Sequence, residues 1–330
     1  MKALLIGGTG IISTAVSSLA VSEGWDVTLL NRGNRGQWVP EGAHVLQADA
    51  GDPAALERVL AGQTFDVVAN FIGFLPQQIE PHIKLFAGRT GQYLYISSAA
   101  AYQKPSSHQY ITESTPLCNT FWQYGRDKIA CEELLTRAYR ENGFPITIVR
   151  PTLTYGLTMI PYCMNSWGKP YTLVNRLKQG KKIIVPGDGS SLWTMTHNSD
   201  FAKGFVGLMG NQRAIGHPFH ITSDEALTWD QILKAIADAV GVEAKPVHIA
   251  SDFIVRHNPA QTGDLLGDKS NTAIFDNSKL KSFVPGFAAT TSFVQGVRRS
   301  VEFFESHPEM QTVDEEYDAT LDRILAAYGE

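Results

Sequence analysis

Met1-Lys2-Ala3-Leu4-Leu5-Ile6-Gly7-Gly8-Thr9-Gly10-Ile11-Ile12-Ser13 opens the chain, and its reading governs the rest. Ala3 to Ile6 form a short apolar run that stops at glycine. Ile11, Ala15, Leu19 and Ala20 then recur at helical spacing before a second apolar run, Val27 to Leu30. The pattern predicts a β-turn-α-β unit. Glycine permits a sharp turn and leaves no Cβ where a pyrophosphate approaches, and the helix start behind it offers free N–H groups and a positive dipole end. The turn therefore reads as a dinucleotide cradle, with Gly7, Thr9, Gly10, Ile11 and Ile12 facing the cofactor. Ser13 stands where the usual spacing has a third glycine, and it is small enough to keep helix and strand close.

Composition sets the outer bounds. With 330 residues, 43% hydrophobic and 18% charged, the chain can bury one large core or two modest ones, which argues against disorder. A formal net charge of -5 provides no general attraction to nucleic acid or to an anionic membrane, so neither is expected as a partner. Cys118, Cys131 and Cys163 form no paired motif, as expected of reduced thiols, and no metal cluster is visible. The apolar run after Lys2 is too short for a signal sequence and no membrane-length run follows, so the expectation is a soluble cytoplasmic protein.

The second run ends at Asn31-Arg32-Gly33-Asn34-Arg35. A carboxylate at this strand end would accept from the 2′-hydroxyl of NAD, whereas Asn31 with Arg32 and Arg35 favours a 2′-phosphate. NADP is thus expected over NAD. Val45 to Ala48 reads as a strand delivering Asp49 and Ala50 to the adenine. Asp52-Pro53 starts a helix, and Phe65 to Phe71 is a buried strand ending in Ile72-Gly73, where Phe71 and Ile72 lie close to the cofactor.

Tyr93 to Ser98 is the next strand, and a serine at the carboxyl end of a central parallel strand points into the ligand crevice. Downstream, Tyr124 and Lys128 share one face of a long helix. An ammonium beside a phenol would pull its pKa down from about 10. Tyr124 is then the general acid/base, Ser98 holds the substrate oxygen, and Lys128 steadies phenolate and ribose.

Glycine turn, strand-end serine and Tyr-x-x-x-Lys helix, in that order, resemble the short-chain dehydrogenase/reductase superfamily, specifically its extended NAD(P)-dependent epimerase/dehydratase branch. Arg150-Pro151-Thr152-Leu153-Thr154-Tyr155-Gly156 resembles the branch's Arg-Pro-x-x-x-Tyr-Gly segment, which implies Pro151 at the nicotinamide. The fold implied is α/β: a Rossmann-type doubly wound parallel sheet over 1–151, then a smaller, discontinuous substrate domain over most of 152–330. Residues 217–240, with a strand at Pro218 to Thr222 and an amphipathic helix at Trp229 to Val240, are expected to return to the main sheet. The resemblance also implies a homodimer through helices at Gln77 to Ala87 and Trp122 to Tyr139.

One departure bears on the substrate. Sugar-nucleotide epimerases of the branch carry Arg-Asp-Phe-x-His-Val-x-Asp, its arginine gripping the diphosphate. Here the run is Trp193-Thr194-Met195-Thr196-His197-Asn198-Ser199-Asp200, and an indole supplies no such bidentate grip. Trp193 and Tyr102, with Trp122, Trp167 and Tyr171, are instead candidates to stack on a free sugar, cyclitol or small polyol. Ala99-Ala100 stands where family dehydratases carry Asp-Glu, which disfavours dehydration.

The expectation is an NAD(P)-dependent epimerase or oxidoreductase acting on a secondary hydroxyl or ketone of a sugar-like molecule. The alternatives are a non-catalytic NADP sensor, which needs none of Ser98, Tyr124 and Lys128, and an RNA-binding protein like some chloroplast relatives. His217 and His220 would face opposite sides of a strand, so they are not expected to chelate. Gly263 to Lys269 and Phe275 to Lys279 resemble substrate-domain loops of the branch, which makes Arg256 and Lys269 candidate ligand contacts, though both read as surface charges by default. Val313, Tyr317, Leu321, Ile324, Leu325 and Tyr328 form a packing stripe on a final helix.

Overall fold

A computed structural model describes residues 1–330. In chain order the first lobe begins with β1 (Lys2–Ile6), α1 (Ile11–Ser22), β2 (Asp26–Asn31), β3 (His44–Gln47), α2 (Pro53–Val59), β4 (Phe65–Asn70), α3 (Pro76–Phe86), β5 (Thr90–Ile96), α4 (Gln123–Asn142) and β6 (Ile146–Pro151). These are followed by β7 (Leu153–Tyr155), α5 (Tyr171–Lys178), β8 (Lys182–Pro186), β9 (Leu192–Trp193), β10 (Met195–His197), α6 (Asn198–Leu208) and β11 (Pro218–Ile221). Then come β12 (Leu227–Thr228), α7 (Trp229–Val240), β13 (Lys245–Ile249), α8 (Ser251–His257) and α9 (Thr262–Asp264), which runs into a π-helical turn, Leu265–Lys269. The chain ends with α10 (Ser278–Phe283), α11 (Phe293–Ser306) and α12 (Glu315–Tyr328).

Seven strands form one sheet in the order β11-β6-β5-β4-β1-β2-β3, every pair parallel. β1, β4 and β5 are buried on both faces and read as near-continuous apolar runs, as a sheet covered by helices on both sides requires. The order reverses beside β1, which places the β1-α1 turn and the ends of β4 and β5 at the switch point where ligands bind in open α/β sheets. A Rossmann-type doubly wound sheet is thus the organising element.

The strand at 218–221 joins the main sheet beside β6, but the helix at 229–240 does not follow it. α7 buries Trp229, Ile232, Leu233 and Ile236 in a second core shared with α5, β8 and α11. α6 crosses the other way: Phe201, Phe205 and Leu208 pack with Val16, Ala20 and Leu29 in the first core, against α1. An apolar stripe announces that a helix packs, and only tertiary contacts determine which sheet it packs on. Leu321, Ile324 and Leu325 of α12 are buried as the stripe predicts, while Tyr328 is exposed.

A buried polar tie links α4 to β6 and to the end of β5. Glu132 on α4 accepts from the Arg150 guanidinium at 2.9 and 2.5 Å and from the Ser97 hydroxyl at 2.5 Å, so α4, β5 and β6 meet at one carboxylate. No helix is long and apolar enough to cross a membrane. No group of three or more His, Cys, Asp or Glu side chains is placed to hold a metal ion.

Candidate functional site

The glycine turn is built around a side chain. Gly7 sits at φ +84°, a left-handed conformation, and a Cβ there would lie 2.4 Å from Ile72 Cγ2. Ser13 does more than fill small space: its hydroxyl accepts from the Gly10 N–H at 2.8 Å and donates to the Gly7 carbonyl at 2.6 Å. Ser17 adds a bond to the Gly8 carbonyl at 2.8 Å. The turn is thereby held open with the first N–H groups of α1 left for an anion. Asn198, at the start of α6, donates to the Ile11 carbonyl at 2.7 Å and fixes the same helix from the other side.

Two cavities meet at this turn, one of about 590 Å³ and one of about 440 Å³. Gly7, Gly10, Arg35 and Ile72 line both. Thr9, Asn31, Arg32, Asp49 and Ala50 line the second, with His82. Ile11, Ile12, Phe71, Ser98, Tyr124, Lys128, Pro151 and Trp193 line the first. A continuous trough thus runs from the β2 and β3 strand ends, past a glycine where no side chain fits, to the serine, tyrosine and lysine. An elongated dinucleotide fits that shape, its pyrophosphate at the helix start and its halves in the two cavities. At the far end Arg32 and Arg35 are exposed, Asn31 Oδ1 accepts from the Gly33 N–H at 2.8 Å, and Asp49 Oδ1 accepts from the Gly51 N–H at 2.8 Å.

α4 brings the reactive groups together. Asn119 Oδ1 accepts from the Trp122 N–H at 2.8 Å, which sets where the helix begins. Gly125 then lets the helix press against the Ala100 carbonyl, which a Cβ would approach to 2.7 Å. Tyr124 and Ser98 consequently line the same cavity. Ser98 Oγ accepts from the Ala100 N–H at 3.1 Å, which orients the hydroxyl.

Lys128 differs from the sequence expectation. Its ammonium donates to the carbonyls of Gly73 at 2.7 Å and Ile96 at 2.8 Å and to the Tyr95 hydroxyl at 3.3 Å, and stands 5.9 Å from the centre of the Tyr124 ring. Its charge is directed at backbone carbonyls. Tyr124 is accordingly not drawn below its usual pKa: burial pushes the phenol up, and the nearby Ser98 hydroxyl pulls the other way. Burial also draws Lys128 down to about 8, with Cys131 and Glu132 pulling the other way.

Tyr102 is not a ligand contact. It is fully buried, its hydroxyl 3.2 Å from His220 Nδ1 and its ring under the Arg150 guanidinium, because the short helical turn after Ser98 folds it behind the strand. Trp193 lines the cavity with its ring, while its N–H is taken by the carbonyls of Lys269 and Asn271, both at 3.1 Å. His197 caps α6, and Asp200 accepts from Lys203 and from the Thr291 N–H, so both are structural.

Two ion pairs beside the cavity were not foreseen as pairs. Lys269, read as a surface charge, is buried against Asp264, and Lys104 is buried against Asp268. Asp268 and Lys269 line the first cavity beside Trp122 and Trp167. The only hint in the sequence was Gly263 and Gly267 flanking them: a Cβ at Gly263 would stand 2.2 Å from the Trp122 ring.

The chain resembles known proteins along most of its length. The chloroplast stem-loop binding protein of 41 kDa b from Arabidopsis thaliana is 29% identical over 274 residues, which is 79% of this chain and 67% of that protein. The 2'-dehydrokanamycin reductase of Streptomyces kanamyceticus is 22% identical over 291 residues, 87% of this chain and 80% of that protein. Among solved structures, the epimerase Mth375 from Methanothermobacter thermautotrophicus superposes with a TM-score of 0.77 at 16% identity, over 94% of each chain. The dTDP-glucose 4,6-dehydratase from Bacillus anthracis, in complex with NAD, superposes with a TM-score of 0.75 at 17% identity, over 94% of this chain and 98% of that one. At such identities the superpositions speak for the fold. Residues 3–222, which hold the sheet, the glycine turn, Ser98, Tyr124 and Lys128, match the description of a single family, and the chain belongs to it: the NAD dependent epimerase/dehydratase family.

Proposed function

We propose that this protein is an NADP-preferring oxidoreductase or epimerase that acts on a secondary hydroxyl or ketone of a sugar-like molecule. The observation that carries the reading is the convergence of Ser98, Tyr124 and Lys128 on a cavity continuous with the dinucleotide trough. When bound, the nicotinamide accepts or returns the hydride. Tyr124 takes the hydroxyl proton during oxidation and gives it back during reduction. Ser98, on the same cavity wall as Tyr124, donates to the developing oxyanion and holds the reacting carbon in line. Lys128 fixes the ends of β4 and β5 through Gly73 and Ile96, so the tyrosine and the cofactor floor keep one geometry.

Arg32 and Arg35, both exposed at the second cavity, support a 2′-phosphate. Identifying the nucleotide released on denaturation, then titrating the emptied protein with NAD and NADP, tests the reading. Tightly retained oxidised cofactor favours an epimerase, reversible binding favours a dehydrogenase or reductase, and no binding of either overturns the enzyme reading.

The stem-loop binding relative supports a second reading, RNA binding. A net charge of -5 opposes it. Salt-dependent retention of an RNA stem-loop by the purified protein would favour it over the first.

A further inference from the structure

Two buried ion pairs stand beside the cavity at Tyr124, Lys104 with Asp268 and Lys269 with Asp264, and Asp268 and Lys269 line it. The lysine side chains are 1% and 2% exposed. Their surroundings are rigidly assembled. Asn119 Nδ2 donates to the carbonyls of Ala100 and Gly267, both at 2.9 Å, and joins the strand-end loop to the π-helical turn. Gly263 and Gly267 allow that turn to lie against Trp122, and Lys269 lies 5.0 Å from the centre of the Trp167 ring.

We propose that this wall selects a single uncharged, hydroxyl-bearing ring and rejects substrates carrying a diphosphate. The inference rests on the oxidoreductase reading above and names its substrate class. Each pair offsets its own charge, and the two members that line the cavity, Asp268 and Lys269, present an acceptor beside a donor. A sugar or cyclitol hydroxyl donates and accepts, and so pairs with such an edge in either sense. A diphosphate only accepts. It would bring negative charge against Asp268, and to gain Lys269 it would have to strip the ammonium from buried Asp264, leaving that carboxylate unpaired. Trp193 offers no substitute grip, since its only donor is spent on backbone carbonyls. The indole of Trp122, only partly buried at the cavity, suits the C–H face of a ring, whereas Trp193 is packed against Trp229 and Lys104. Size agrees: about 590 Å³ must hold the nicotinamide end together with the substrate, and a cavity of that order takes roughly one drug-sized molecule.

Tryptophan fluorescence of the NADP-loaded protein, titrated with pyrophosphate and with UDP-glucose, tests the selection. Wild-type protein is expected to show no saturable response to either at millimolar concentration. Asp264→Asn combined with Asp268→Asn, which frees both lysines, is expected to bind both at least about tenfold more tightly. Lys104→Gln combined with Asp268→Asn removes one pair whole, leaves no free lysine and is expected to gain nothing. Wild-type binding of UDP-glucose as tight as that of the double Asn variant overturns the inference, as does an equal gain in the Lys104→Gln pair, which would report a loosened wall. Turnover distinguishes the two levels. Nicotinamide absorbance is expected to follow oxidation of a member of a panel of free sugars and cyclitols, undiminished by UDP. Oxidation of nucleotide sugars alone sinks the substrate class but keeps the oxidoreductase. Absence of all dinucleotide binding sinks the oxidoreductase reading and with it the inference built on that reading.

Discussion

The Ser13 hydroxyl donates to the Gly7 carbonyl across the glycine turn at 2.6 Å. The same oxygen accepts from Gly10, so one side chain closes a turn that three small residues would otherwise leave loose. Ser13→Ala keeps the size and removes both bonds. It is expected to cost about 1–3 kcal/mol of stability and to weaken dinucleotide binding in parallel. Urea unfolding and calorimetric titration read the two effects, and an unchanged unfolding midpoint would show that the turn holds without Ser13.

Burial raises the Tyr124 phenol above its ordinary value, so at neutral pH the residue carries its proton. Reduction needs that proton and is expected to be flat across the neutral range. Oxidation needs the phenolate and is expected to climb about tenfold per pH unit below the phenol's pKa. Tyr124→Phe removes most of the activity in both directions. An oxidative rate independent of pH, with hydride transfer shown to be limiting, would assign the base elsewhere.

Lys128 titrates at about 8 in the folded protein against an ordinary 10.5. Between these values the unfolded chain holds a proton that the folded chain has released, so stability rises with pH across that window. Below it both states are protonated and the full cost of burying the ammonium applies. Lys128→Met is expected to abolish a rise on the order of 1–3 kcal/mol. Denaturation midpoints of the two proteins, followed from neutral to strongly alkaline pH, should converge as the pH increases.

Replacing Arg32 and Arg35 together by alanine is expected to weaken NADP by about 10- to 100-fold and to leave NAD nearly unchanged. Added salt should narrow the difference, because both guanidinium groups are exposed. An unaltered ratio of the two affinities would remove the basis for preferring NADP.

Glu132→Gln leaves Arg150 buried without its carboxylate. The expected cost is about 3–5 kcal/mol, read as a lowered melting temperature. Ser97 is left with an amide oxygen, a weaker acceptor than the carboxylate, so Ser98 should also be held less firmly and kcat should fall more than KM rises. A melting temperature close to that of the parent would mean that the pair contributes little.

What could be read from the sequence was local. Gly7, Gly10 and Ser13 lie within one turn, and Tyr124 and Lys128 within one helix, so spacing alone placed them at the trough. Tyr102 and Lys269 failed because their positions depend on distant partners. Tyr102 is turned inward by His220, which arrives on β11, and Lys269 is enclosed by Asp264 and by indoles from two other segments. α7 was recognisable as amphipathic, yet its neighbours α5 and α11 lie on either side of it in the chain, and no pattern within the helix names them. The Lys128 contacts were invisible for the same reason: Gly73 and Ile96 lie on elements that only the sheet brings together.

The Lys269 carbonyl accepts two indole N–H groups, from Trp193 at 3.1 Å and Trp229 at 2.9 Å. Both lone pairs are committed, so the wall of the cavity cannot swing without breaking two bonds in the second core. Admission of a small molecule past the exposed rings of Phe74 and Trp167 then becomes a matter of diffusive encounter. Association should slow in proportion to solvent viscosity, with no saturating phase of the kind that a slow opening step imposes on fast-mixing traces.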